Sequence, residues 1–284
     1  MNIGFIGLGI MGSAMSTNIL KKSDENLIVY DINKEASNKL KEIGAEVADS
    51  IKDIAHRCEV IITMVPKNEH VISVYNELIP EVKKGSLLID MSTISPEVSR
   101  NLAIQVEKEG SRMIDAPVVK SQAAAIEGTL GIYVGGKEED YNKARKYLEY
   151  MGNNIIYLGE NGNGLIMKLC HNALVAQIQN GVNETLKLAT KVGNIKPEVF
   201  AKAISYGGGQ NFYLDSKINA IKERNFKTAF SIANMDKDIH LADNLAKESN
   251  LILEGIKLAC KRYEEAMSKG YGLEDFSATY KLFD

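Results

Sequence analysis

Apolar positions follow two rhythms in the first part of the chain and one in the rest. Short apolar runs at Ile3 to Ile6, Leu27 to Tyr30, Val60 to Val65, Leu87 to Asp90, Met113 to Val118, Gly131 to Val134 and Asn154 to Leu158 read as buried strands, with a short strand edge at Gly44 to Val47. Between them, apolar residues recur at helical spacing over Met11 to Leu20, Asn33 to Ile43, Ser50 to Arg57, His70 to Leu78, Pro96 to Glu109 and Glu138 to Met151. Asp49 or Ser50 is placed to cap the third of these helices. After the Gly/Asn loop from Gly159 to Gly164 the pattern turns wholly helical: Leu165 to Val192, Pro197 to Ile204, Tyr213 to Glu223, Ile232 to Ser249 and Leu253 to Lys269. Strands alternating with helices predict an α/β domain with a doubly wound parallel sheet, followed by an all-α domain. The predicted division is residues 1–162, a long connecting helix over 163–192, and an all-helical domain over 193–284.

The first strand ends in Gly7-x-Gly9-x-x-Gly12 and leads into a helix. A dinucleotide pyrophosphate needs this strand, glycine turn and helix. The first glycine allows the tight turn, the second lets the backbone approach the ligand, and the third lets helix and strand pack, leaving helix N-terminal amides aimed at the phosphates. Roughly 20 residues beyond Gly12 the second strand closes on Asp31, whose carboxylate suits the adenosine ribose hydroxyls. It repels a 2′-phosphate, and no Arg follows at positions 32 and 33, so NAD is expected over NADP. The predicted domain is therefore a Rossmann domain, with ligands beyond the carboxyl ends of its strands: Gly7, Leu8, Gly9, Ile10, Met11 and Gly12, then Asp31, Met64 to Pro66, and Asp90 to Thr93.

The 284 residues are 45% hydrophobic and 25% charged, with a net charge of −3 and both signs dispersed. That balance points to a globular protein and away from nucleic-acid or membrane partners. No apolar run approaches a membrane span, and a strand beginning at the second residue predicts a cytoplasmic protein without a signal peptide. Cys58, Cys170 and Cys260 are expected as reduced core thiols, and the four histidines show no ligand spacing, so no metal site is expected.

Hydride chemistry requires a group that gives or takes the hydroxyl proton beside the nicotinamide. Gly164-x-x-x-Lys168-x-x-His171-Asn172 puts Lys168 and Asn172 on one helix face, in the first turns of the connecting helix. An ammonium there can protonate a forming alkoxide; the alternative is a solvated surface lysine. Four stretches together resemble the β-hydroxyacid dehydrogenase family, typified by 3-hydroxyisobutyrate dehydrogenase: F-I-G-L-G-I-M-G-S-A-M at 5–15, D-A-P-V…G-T-L within 115–130, G-x-x-x-K-x-x-x-N at 164–172, and Lys237-Asp238. The resemblance implies that Lys168 is the catalytic lysine and that Asn172 positions the substrate. It further implies that Met64, Val65 and Pro66 line the middle of the cofactor, that Thr93 lies beside the nicotinamide, and that Lys237 closes on the cofactor, with an ion pair to Asp236 or Asp238 as its alternative.

The chain also departs from the family pattern. Members usually carry D-x-P-V-S-G-G, whose Ser-Gly-Gly holds the substrate carboxylate; here Val119, Lys120 and Ser121 stand there. Residues Val119, Lys120, Ser121, Gln122 and Ala123 are still expected to hold an anion, with Lys120 either adding a charge to it or pointing to solvent. A basic residue at this place is similar to the sulfolactaldehyde reductases, which recognise a sulfonate, and an ammonium suits three charge-sharing oxygens. His171 replaces a common asparagine, and either touches substrate or serves a core hydrogen bond. Gln210 and Asn211, after Gly207-Gly208-Gly209, resemble a loop that reaches the substrate.

The function expected is an NAD-dependent dehydrogenase interconverting a small anionic β-hydroxy acid, or a sulfonate analogue such as 2,3-dihydroxypropane-1-sulfonate, with its aldehyde or ketone. A glyoxylate or succinic semialdehyde reductase of the same family is the alternative. A non-catalytic NAD-binding protein is the rival from another class, and it would be expected to lose Lys168. The helical C-terminal region is too thin to bury its own faces, so a homodimer or homotetramer is expected.

Overall fold

The computed structural model describes residues 1–284. Six strands form one parallel sheet: β1 Asn2–Ile6, β2 Asn26–Tyr30, β3 Glu46–Val47, β4 Val60–Thr63, β5 Leu87–Asp90 and β6 Arg112–Asp115. Their order, β3-β2-β1-β4-β5-β6, reverses direction between β1 and β4, and in such sheets that reversal opens a crevice at the carboxyl ends. Helices α1 (Ile10–Lys22), α2 (Lys34–Lys41), α3 (Ile51–Arg57), α4 (Asn68–Leu78) and α5 (Pro96–Lys108) make the crossovers. The strands read as unbroken apolar runs because both faces are covered. Ile3, Phe5, Leu27, Val29, Ile62 and Ile89 pack into one core, while Ile6, Ile28, Ile61 and Leu88 pack into the other. Ser50, rather than Asp49, caps α3 by accepting from the Asp53 amide at 3.1 Å.

The apolar run from Met113 to Val118 is not one strand. The sheet ends at Asp115, and Val118–Val119 (β7) turns away to pair antiparallel with β8 (Leu130–Val134). Pro117 stands between them; it has no N–H for the ladder and a fixed φ, so the chain leaves the first sheet there. Strand β9 (Gly152–Tyr157) pairs parallel with β8, giving a second, three-stranded sheet that the apolar pattern alone does not separate from the first. Helix α6 (Gln122–Glu127) joins β7 to β8, and α7 (Glu138–Leu148) joins β8 to β9.

Helix α8 runs from Asn163 to Gly193, and the chain divides into two compact units within it, Met1–Lys168 and Leu169–Asp284. The second unit contains the rest of α8, α9 (Pro197–Ile204), α10 (Phe212–Glu223), α11 (Ile232–Glu248), α12 (Glu254–Ser268) and a final 3₁₀ helix, Phe276–Phe283, capped by Asp275. Its core gathers Leu186, Leu214, Ile218, Met235, Ile239 and Tyr263. Cys58 and Cys260 are buried thiols as expected, but Cys170 is exposed, because it lies on a different face of α8 from its buried neighbour Leu169.

Candidate active site

Backbone geometry accounts for the glycine turn residue by residue. Gly7 has φ +95°, a left-handed value that glycine adopts freely, and a Cβ there would collide with the Met64 carbonyl. A Cβ on Gly12 would fall on the Gly7 carbonyl oxygen and lie 3.3 Å from the Phe5 ring. Gly9 is different, since a Cβ there would have no protein atom within 4 Å. Gly9 is the N-cap of α1 and supplies no side-chain acceptor, so the first amides of α1, from Ile10, Met11 and Gly12, have no side-chain cap. Asp31 is tied to this turn: one carboxylate oxygen accepts from the Leu8 amide at 2.6 Å and the other from the Asn33 amide at 2.7 Å. A turn closed by packing at Gly7 and Gly12 and open beyond Gly9 fits a dinucleotide pyrophosphate.

The neighbouring strand ends are held by Asp90, which the sequence pattern places at a ligand-facing strand end without giving it a role. Asp90, fully buried at the end of β5, accepts from the Thr63 hydroxyl and the Ser92 hydroxyl, each at 2.7 Å, and Ser92 Oγ accepts from the Val65 amide at 3.0 Å. One carboxyl group thereby holds Met64 to Pro66 and Ser92 to Thr93 in fixed relation. Burial pushes its pKa up to about 6, against the bonds from Ser92 and Thr63. The signal available in sequence was an acidic residue closing an apolar strand.

The segment expected from sequence to hold an anion starts from buried Val119. Lys120 has φ +82°, and its ammonium donates to the Thr129 carbonyl at 2.5 Å. Ser121, Gln122 and Ala123 lead into α6. Asn18 on α1 donates through Nδ2 to the carbonyls of Ala125 at 2.6 Å and Ile126 at 3.2 Å. The helix that opens at the glycine turn is therefore bonded to α6, the helix that follows residues 119–121.

Lys168 is the last residue of the first unit and only 8% exposed, so it is not the solvated surface lysine of the alternative reading. Asn172 follows one helical turn later on α8 and is buried. Its Nδ2 donates to Asp238 Oδ2 at 2.6 Å, and its Oδ1 lies 3.0 Å from His171 Nδ1. Lys237 Nζ pairs with Asp238 Oδ1 at 2.9 Å, and Asp238 is buried, so this ion pair is not a surface one. The second unit thus brings together His171, Asn172, Lys237 and Asp238. Gln210 is exposed, while Asn211 caps α10, its Oδ1 accepting from the Leu214 amide at 2.8 Å. No group of three or more His, Cys, Asp or Glu is gathered where it could hold a metal ion.

Two family models cover almost the whole chain: the NAD-binding domain of 6-phosphogluconate dehydrogenase matches residues 2–159, and the NAD-binding segment of NADP-dependent 3-hydroxyisobutyrate dehydrogenase matches residues 162–283. Mouse mitochondrial 3-hydroxyisobutyrate dehydrogenase is 37% identical over 290 residues, covering 98% of this chain and 86% of that protein. The chain belongs to the β-hydroxyacid dehydrogenase family. As a member it is an oxidoreductase acting on CH–OH groups with a nicotinamide dinucleotide. This dehydrogenase is also 35% identical over 292 residues to an NAD-dependent L-serine dehydrogenase of Pseudomonas aeruginosa, covering 99% of this chain and 97% of that one. It resembles the solved structure of Mycobacterium tuberculosis 3-hydroxyisobutyrate dehydrogenase with L-serine, with a TM-score of 0.92, 29% identity, and coverage of 99% and 98% of the two chains. No helix of this dehydrogenase is long and apolar enough to cross a membrane.

Proposed function

We propose that this β-hydroxyacid dehydrogenase oxidises a short β-hydroxy acid with NAD, and that Lys168 handles the hydroxyl proton. The near-complete burial of Lys168, one helical turn before Asn172, carries the reading. NAD supplies the hydride acceptor. Gly7 to Gly12 hold its pyrophosphate, Asp31 its adenosine ribose, and Met64 to Pro66 and Thr93 its remainder, with Lys237 closing on it. The Asp31 carboxylate and the lack of Arg at Ile32 and Asn33 support NAD over NADP. Lys168 accepts the proton from the substrate hydroxyl during oxidation and returns it during reduction, and Asn172, held by Asp238, aligns the same oxygen. Residues 119–123 hold the substrate anion, and His171, Gln210 and Asn211 are further proposed substrate contacts. The relatives named above direct the first choice of substrates to 3-hydroxyisobutyrate and L-serine. Exposed Leu174, Leu188 and Val192 on α8 support self-association as a dimer or tetramer.

Lys168→Ala is expected to lower turnover by about 10² to 10⁴-fold with NADH binding intact. Unchanged turnover removes the assignment. A second reading, a sulfonate substrate, is supported by the left-handed φ of Lys120, where a lysine side chain is strained and a glycine is not. Steady-state rates on 3-hydroxyisobutyrate, L-serine, glyoxylate, succinic semialdehyde and sulfolactaldehyde, each with wild type and Lys120→Gly, separate the two. A sulfonate preference lost on substitution favours the second reading, and a carboxylate preference indifferent to it favours the first.

A further inference from the structure

We infer that Asp115, at the carboxyl end of β6, is a positioning residue that sets where Lys168 stands by capping the helix that carries it. This rests on the proton-handling role proposed for Lys168. Asp115 is fully buried, and its two carboxylate oxygens take the first amides of α8: Oδ1 accepts from Gly162 at 2.6 Å and Oδ2 from Leu165 at 2.9 Å. Those groups belong to the N-terminal turn, whose amides have no partner within the helix. A capping side chain normally comes from the helix's own N-cap residue, but here that residue is Gly162, which has none. The cap is therefore delivered from a strand 47 residues earlier in the chain. Lys168 lies three residues beyond Leu165, within the turn that the carboxylate fixes.

The packing around the carboxylate is built for this contact. A Cβ on Gly164 would lie 2.8 Å from Asp115 Oδ2 and 3.0 Å from the Gly135 amide. One on Gly135 would lie 2.6 Å from Asp115 Oδ1 and 2.9 Å from the Gly164 amide. Two glycines, at the end of β8 and the start of α8, thus admit the helix to a strand-borne carboxylate. Asp115 also exchanges backbone hydrogen bonds with Gly135, at 2.9 and 2.8 Å, which anchors the carboxylate's own backbone. The ionisable groups that face it are Asp90, its register partner on β5, and Tyr75 on α4. Burial pushes the Asp115 pKa up to about 7, against the pull of the Gly162 and Leu165 amides.

The experiment is a double-mutant cycle of Asp115→Asn and Lys168→Ala, read as kcat and KM in the oxidation direction with melting curves for all four proteins. Asparagine keeps the shape but turns an N–H toward one of the two amides. Alone, Asp115→Asn is expected to lower kcat by about 10 to 100-fold with the KM for NAD little changed, since a small displacement of a proton-transfer group has that effect. In the Lys168→Ala background it is expected to change kcat by less than about 2-fold, because Asp115 acts through the group already removed. Equal loss in both backgrounds, or no loss alone, overturns the inference while leaving Lys168 as the proton-handling residue. No loss from Lys168→Ala overturns the proposed function itself. Should Asp115→Asn not fold, amide exchange in the unaltered chain decides. The Gly162 and Leu165 amides hold the carboxyl below where burial alone would push it, so protonation weakens those two bonds while the carboxyl stays buried. After correction for intrinsic pH dependence, residues 162–168 are therefore expected to lose local protection by about 10-fold between pH 8 and pH 6, with α5 unaffected. Uniform exchange across that range refutes it.

Discussion

Alanine at Gly9 and alanine at Gly12 are expected to fail in opposite ways. Gly9 has φ −66° and ψ −165°, an extended conformation open to any residue, and its Cβ would meet no protein atom within 4 Å. The unliganded Gly9→Ala protein should therefore match wild type to within about 0.5 kcal/mol. Gly12→Ala places a methyl on the Gly7 carbonyl oxygen with the Phe5 ring 3.3 Å away. Backbone cannot move aside cheaply, so a loss of about 1–3 kcal/mol is expected, or about 2–4 °C in melting temperature per kcal/mol. NAD reverses the order of interest. At a ligand concentration 100 times Kd, wild type gains about 2.7 kcal/mol from binding. If the open side of Gly9 faces the pyrophosphate, its methyl weakens Kd by about 10 to 100-fold, and the gain shrinks to about 1.4 or about 0.4 kcal/mol at the same concentration. Melting curves with and without NAD, and calorimetric titration, measure both quantities. A Gly9→Ala protein with the full NAD-dependent shift, or a Gly12→Ala protein as stable as wild type, refutes the assignment of the turn.

Asp238→Ala strips the acceptor from the Asn172 amide and leaves a buried donor unpaired, at a cost of about 1–3 kcal/mol; kcat should fall by about 10-fold or more while NAD binding holds, and an unaltered kcat means that Asn172 is not aligned by this bond. Stability should also depend on pH through Asp90 and Asp115, whose pKa values are pushed by burial to about 6 and about 7. Their unfolded counterparts titrate near 3.9. Between those values the folded chain binds more protons than the unfolded one, so unfolding free energy falls as pH rises from about 4 to about 7, by an amount on the order of a few kcal/mol. Urea midpoints should drop from pH 5 to pH 8, less steeply in Asp90→Asn; a flat or rising profile refutes this.

What the sequence determines by itself is what short stretches encode. The β1–Gly–α1 turn, Asp31 closing β2, and the Lys168 to Asn172 spacing on α8 all lie within one or two elements, so apolar period, glycine spacing and residue type suffice to find them. Local spacing also placed Pro197–Ile204 at its observed ends. The departures share one cause, which is that partners far apart in the chain leave no period to read. The run through Pro117 looked continuous because both its halves are buried, yet they serve different sheets. Asn18 holds α6 across 107 residues, Asp238 holds Asn172 across 66, and Asp115 holds the start of α8 across 47 and 50. Each is an acidic or amide side chain whose type announces only that it must find a hydrogen-bond partner once buried. Which partner it finds depends on the register of strands and the packing of helices, and only the tertiary structure decides that.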